Sequence, residues 1–189
     1  YRYYQKIRYD HTFAGISGTR INKRNERIGG TLKFDSVSAT SLEIRMKYRV
    51  KGDLAEAYKT SVLKAYPFPE YKNETFCPEA LVWNRIALIY KLLLFNQPVY
   101  ICEYLEDGLT ARIVKIRIQS PSASMDTYAE LASYDIPVMQ KMKASVNFWR
   151  FSFHSKVSIK DRIARIGFVK SVLSLPFAFL MYVNDKRIS

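Results

Sequence analysis

The chain has 189 residues, with 30 Lys and Arg against 17 Asp and Glu, and a formal charge of +13. Its 48% hydrophobic and 25% charged content excludes a disordered polycation and gives enough apolar surface for one real core. Two cysteines, Cys77 and Cys102, and two histidines, His11 and His154, argue against a disulfide scaffold, a structural zinc site and a histidine-rich metal site, and suit a reducing compartment.

Taken in chain order, Tyr1–Tyr9 (YRYYQKIRY) interleaves aromatic and basic residues, a pattern that stacks single-stranded bases or half-buries an amphipathic element. Thr12–Thr19 reads as a strand, Arg20–Arg27 as a polar turn and Ile28–Phe34 as a partner strand. Glu43–Lys51 alternates apolar with basic residues and predicts a half-exposed strand. Gly52 stops it. Asp53 with Glu56 resembles a capping box, so Leu54–Ala65 is expected to be helical. The prolines of Tyr66–Tyr71 force an extended segment. Pro78 and Glu79 then open a helix predicted over Ala80–Phe95, apolar nearly all round and therefore a core helix. Val99–Tyr104 reads as a buried strand and Glu106-Asp107-Gly108 as a turn. Beyond Pro121 the chain is expected to be helical, over Met125–Ser133 and Val138–His154.

The positive charge is confined to the two ends. Residues 1–30 carry seven bases and two acids, residues 140–189 ten bases and two acids, and the stretch between thirteen of each. Such asymmetry points to a polyanionic partner, with a solvated basic face as the alternative. Arg162, Arg165 and Lys170 precede the uncharged run Ser171–Val183, and Lys186 and Arg187 follow it. The run is short of the ~20 residues a spanning helix needs and contains Pro176, so it suits a helix lying on an anionic membrane surface, or else a buried terminal helix. Nucleic acid is the poorer partner, since neither a helix-turn-helix face nor zinc-finger spacing occurs.

Helix, turn and strand in this order imply an α/β fold, and the stretch from Gly52 to Thr110 carries a resemblance. Lys51-Gly52-Asp53, Tyr58-Lys59-Thr60, Leu63-Lys64, Phe68-Pro69-Glu70, the run Phe76-Cys77-Pro78-Glu79-Ala80-Leu81-Val82-Trp83-Asn84-Arg85-Ile86-Ala87 and Tyr104-Leu105-Glu106-Asp107-Gly108-Leu109-Thr110 follow one another in order. Together they resemble the second half of the GT-A domain of bacterial family 2 glycosyltransferases. The resemblance implies the acceptor-side part of that domain over residues 1–120 and a basic amphipathic helical tail, membrane-interfacial, over 121–189. It also implies inverting transfer from a nucleotide-sugar donor to a cell-envelope or capsule glycan, at the cytoplasmic face of the membrane.

The same resemblance makes Glu79 the catalytic base. By residue chemistry alone, a first-turn glutamate is sufficiently explained by the helix dipole. Trp83, four residues on, is placed to pack a sugar ring or a core; Arg85, Lys51 and Asp107 are the further substrate-binding candidates, each also at home as a solvated side chain. Glu70 and Glu74 read as solvated loop carboxylates, and Asp53 as a cap. In the family an Asp-x-Asp motif upstream of this region holds Mg²⁺ or Mn²⁺ against the donor diphosphate, and no Asp-x-Asp occurs in the chain. The metal and donor site is therefore expected outside these residues or on another chain, and a half sheet left with a bare edge leaves room for a homodimer.

Overall fold

The computed structural model describes residues 1–29, 32–106 and 108–187. Those residues form an α/β protein whose chain divides into two compact units, one of Tyr1–Pro67 with Val82–Leu105 and one of Phe68–Leu81 with Glu106–Ser189.

The first unit is a mixed sheet. Its central strand β1 (Phe13–Ile21) pairs antiparallel with β2 (Arg27–Ile28) and with β4 (Leu54–Tyr58). On its other side β1 runs parallel to β5 (Lys91–Ile101), and β3 (Ser36–Ala39) closes the sheet antiparallel to β5. The register slips between Ser17↔Leu94 and Thr19↔Pro98, so β5 carries extra residues opposite β1 there. On the other side of β5, Asn96 N–H donates to Asp35 O at 2.8 Å and prolongs the pairing with β3 by one residue. Pro98, with no N–H to give, is tolerated beside such an irregularity. The buried side chains Ala14, Ile44, Leu54, Val62, Val82, Ile86, Leu92 and Leu94 form the core of this unit. They come from the strands and from the helices α2 (Ser41–Met46), α3 (Thr60–Ala65) and α4 (Glu79–Ala87). The short helix α1 (Arg2–Ile7) adds the buried Ile7 and the ring of Tyr3, stacked on Phe95 at 3.9 Å between centroids.

Several sequence expectations change here. Glu43–Lys51 is not a strand: Thr40 Oγ1 accepts from Glu43 N–H while the Glu43 carboxylate accepts from Thr40 N–H, a complete capping box that starts α2. Leu54–Ala65 is not one helix but β4 followed by α3, because pairing with β1 claims its first half. Asp53 consequently caps nothing; its carboxylate accepts the hydroxyl of Tyr104. The apolar run after Glu79 leaves the helix at Ala87, turns through Leu88 and Ile89, and continues as β5. A strand covered on both faces shows the same unbroken hydrophobicity as a core helix, so periodicity cannot separate them. The expected buried strand Val99–Tyr104 is instead the end of β5, which stops at Ile101 and is exposed there. Gly52 ends no strand, and its glycine has another reason: it has φ +75°, and a Cβ on it would lie 2.4 Å from the Cα of Gly29 (φ +92°), so two backbone segments touch where only glycine fits.

The second unit is helical: α5 (Ile113–Gln119), α6 (Pro121–Ser133), α7 (Val138–Ser152), α8 (Ile159–Ile166) and α9 (Phe168–Asp185). Met125, Ala129, Ala132, Ala144, Phe148, Trp149, Ile166 and Ala178 make its core. Glu74, expected to be a solvated loop carboxylate, is a cap: its two oxygens accept the N–H groups of Ser122 and Ala123 at 2.7 and 2.9 Å. Both orphan donors in the first turn of α6 are satisfied in this way by a charged acceptor. Asp126 in the same helix accepts from Tyr71 Oη at 2.7 Å and pairs with Arg165.

Candidate functional site

Glu79 opens α4, directly after the buried Pro78, and its side chain is exposed. It takes part in no hydrogen bond or ion pair among the described residues, so the carboxylate is left for a partner from solution. Four residues on, in the first unit, Trp83 is turned to the core: its ring stacks on Tyr58 with centroids 4.3 Å apart, and Ser41 Oγ donates to its carbonyl at 3.3 Å. One face of the indole is therefore already covered by an aromatic ring. Arg85, in the last turn of α4, is half-buried; Lys51 is exposed on the loop before β4; Asp107 lies outside the described residues.

A second polar group gathers where the parallel strands β1 and β5 end, the edge at which open α/β sheets hold ligands. Arg20 Nε donates to Leu54 O at 2.7 Å and its guanidinium lies 5.4 Å from the centre of the Tyr100 ring. Lys23 pairs with Glu103 at 2.5 Å. Tyr104 donates to the Asp53 carboxylate, and that hydrogen bond, with some burial and the Asp53 charge, pushes the phenol up to about 12. A raised value means that the bond favours the fold while the phenol is protonated. Its contribution is complete below the unfolded value near pH 10 and is lost as pH rises through about 12. Because Tyr104 is 48% exposed, solvent screening reduces this to about 0.5–1 kcal/mol. Tyr104→Phe is expected to lower stability by that amount near neutral pH. In a spectrophotometric titration of the 14 tyrosines it removes one that ionises late; an unchanged titration curve would show that the pair does not form.

Sequence reasoning missed one groove altogether. It has a volume of about 400 Å³ and is lined by Tyr1, Arg2 and Tyr3, by Ile16, Ala55, Glu56 and Ala57, and by Phe95, Gln97, Val99 and Tyr100. None of Glu79, Trp83, Arg85 and Lys51 lines it. The aromatic-basic pattern of Tyr1–Tyr9 was the available signal: Tyr3 closes one wall on Phe95, with Arg2 and Lys6 over its ring at 5.4 and 5.3 Å.

For the divalent ion that the resemblance implies, the donor set does not fit. Among the described residues no three His, Cys, Asp or Glu side chains converge as a metal site, and the carboxylates that do cluster are engaged as caps or ion pairs. No protein-family model, no curated protein and no solved structure matches the chain.

Proposed function

We propose that the chain is the acceptor-side part of an inverting glycosyltransferase, moving a sugar from a nucleotide-sugar donor to a cell-envelope or capsule glycan at the inner face of the cell membrane. The observation that carries this reading is Glu79: within the ordered family-like motifs from Lys51 to Thr110, it is a carboxylate at a helix start that no neighbour occupies. Its role is to take the proton from the acceptor hydroxyl as that oxygen attacks the anomeric carbon and the nucleoside diphosphate leaves from the opposite side. Lys51 and Arg85 supply positive charge toward phosphate, and Asp107 a further polar contact with substrate. Trp83, stacked on Tyr58, serves the core of the first unit rather than offering an open platform for a sugar. Neutralising the leaving diphosphate by a metal ion falls to groups outside the described residues.

The test is an assay of the longest natural form of the protein, established by intact mass, against a panel of nucleotide sugars. Transfer with an inverted anomeric configuration, read by NMR of the product, supports the reading. Retention of configuration, or no donor use by a product ending at these residues, overturns it. A second reading, a non-catalytic module for a membrane surface, is favoured by the outward face of α9; it is distinguished by lipid binding with no transfer at all.

A further inference from the structure

Helix α9 is packed inside out. Its buried residues are Ser171, Ser174, Ala178 and Asp185, which fall on one stripe at helical spacing. That stripe lies along α7. The serines are buried at little cost, because Ser171 Oγ donates to Gly167 O at 2.8 Å and Ser174 Oγ to Lys170 O at 2.6 Å. The opposite arc presents Phe168, Val169, Leu173, Phe177, Phe179 and Leu180, between 54% and 69% exposed, and no charged side chain. A helix at a water-facing surface shows the reverse, apolar residues inward and charges outward. Small residues between helices and large apolar ones outward is the arrangement of helices whose solvent is lipid.

Charge identifies the lipid. Lys156 and Lys160 lie exposed before and in α8, and Lys186 and Arg187 after α9, so cations bound the apolar arc at both ends. The two acids of residues 140–189 are engaged internally: Asp161 accepts from Ser158 Oγ at 2.7 Å, and Asp185 pairs with Arg150 at 2.6 Å. Of the ten bases in residues 140–189, Arg150 and Arg165 are held by Asp185 and Asp126, and the exposed cations that flank the arc attract phosphate headgroups.

We infer that α9 lies in the plane of an anionic phospholipid surface, with the arc from Phe168 to Leu180 sunk into the acyl boundary and the flanking lysines and Arg187 on headgroup phosphates. This deepens the membrane-surface reading above and is independent of sugar transfer. Among the described residues no single helix is long and apolar enough to span a bilayer, and α8 and α9 reach that length only as a pair bent by 112°. Helix α7, which packs along α9, carries Lys141, Lys143 and Arg150, and that favours the surface placement.

Flotation of the 189-residue chain with vesicles tests this. Binding to phosphatidylglycerol–phosphatidylcholine vesicles is expected, about tenfold weaker on phosphatidylcholine alone or in high salt. Phe177→Glu with Leu180→Glu is expected to weaken it at least about tenfold. Both sites are exposed, so circular dichroism and the melting temperature stay unchanged, which separates lost binding from lost fold. Lys160→Glu with Arg187→Glu is expected to abolish the preference for anionic vesicles. The inference is overturned if the wild type does not float, if Phe177→Glu/Leu180→Glu floats equally well, or if those substitutions instead dissolve a dimer that ignores vesicles. Loss of flotation with transfer intact would sink this inference and leave the transferase reading standing.

Discussion

Glu79→Gln in the longest natural form is expected to lower sugar transfer by about 10²–10⁴-fold, the range that removal of a positioned general base produces. Glutamine keeps the shape of the side chain and its place in the first turn of α4, and changes only its ability to hold the acceptor proton. The fold should scarcely notice. Glu79 is exposed and bonded to nothing described, so only its favourable position at the positive end of the helix is lost, about 0.3–1 kcal/mol. Steady-state rates, donor binding by calorimetry and thermal melts therefore come apart: the rate falls, while donor affinity and melting temperature hold. Glu74→Gln is the matching control. That carboxylate caps α6 through Ser122 and Ala123, so its loss is expected in stability, about 1 kcal/mol, with transfer close to wild type. Full activity of Glu79→Gln would remove the base assignment, and the transferase reading would then need another carboxylate.

Asp185→Ala is expected to destabilise the helical unit by about 3–5 kcal/mol, the cost of leaving one partner of a buried ion pair alone. Asp185 is 2% exposed, and its two oxygens accept Nε and Nη2 of Arg150, each at 2.6 Å, a bidentate fork that orders the last turn of α9 against α7. Truncation strands a guanidinium whose side chain is 13% exposed. The pair itself is not the source of stability, since burying both charges costs nearly what their attraction returns. Arg150→Met with Asp185→Leu is thus expected to recover most of the loss in urea unfolding. A cost under about 1 kcal/mol for Asp185→Ala would mean that Arg150 escapes to solvent and that the end of α9 is held otherwise. The same variant bears on the lipid surface, because Lys186 and Arg187 follow Asp185 directly.

How much of this was legible in advance follows from how far each element reaches along the chain. The start of α4 could be read because Pro78 and Glu79 act on their own first turn. In the second unit α7 and most of α6 were legible, whereas α5 was not expected and the first turn of α6 is capped from Glu74, far away in sequence. The candidate site was legible as a set of residue types in order, and its individual roles were not. Nothing near Trp83 in sequence says that Tyr58 covers its ring, and nothing near Asp53 says that Tyr104 donates to it.

The sequence by itself determined the uneven charge, the α/β class, the beginnings of α4 and α7 and the chemistry available at Glu79. Those depend on composition and on hydrogen bonds between neighbours, which any segment carries with it. Only the tertiary structure decided that Leu54–Tyr58 pairs with β1, that the apolar run after Ala87 becomes the parallel strand β5, and that α9 turns serines inward and phenylalanines outward. A strand exists only once a distant partner accepts its hydrogen bonds, and a helix face is inner or outer only once another helix packs on it. Local propensity is too weak to overrule either.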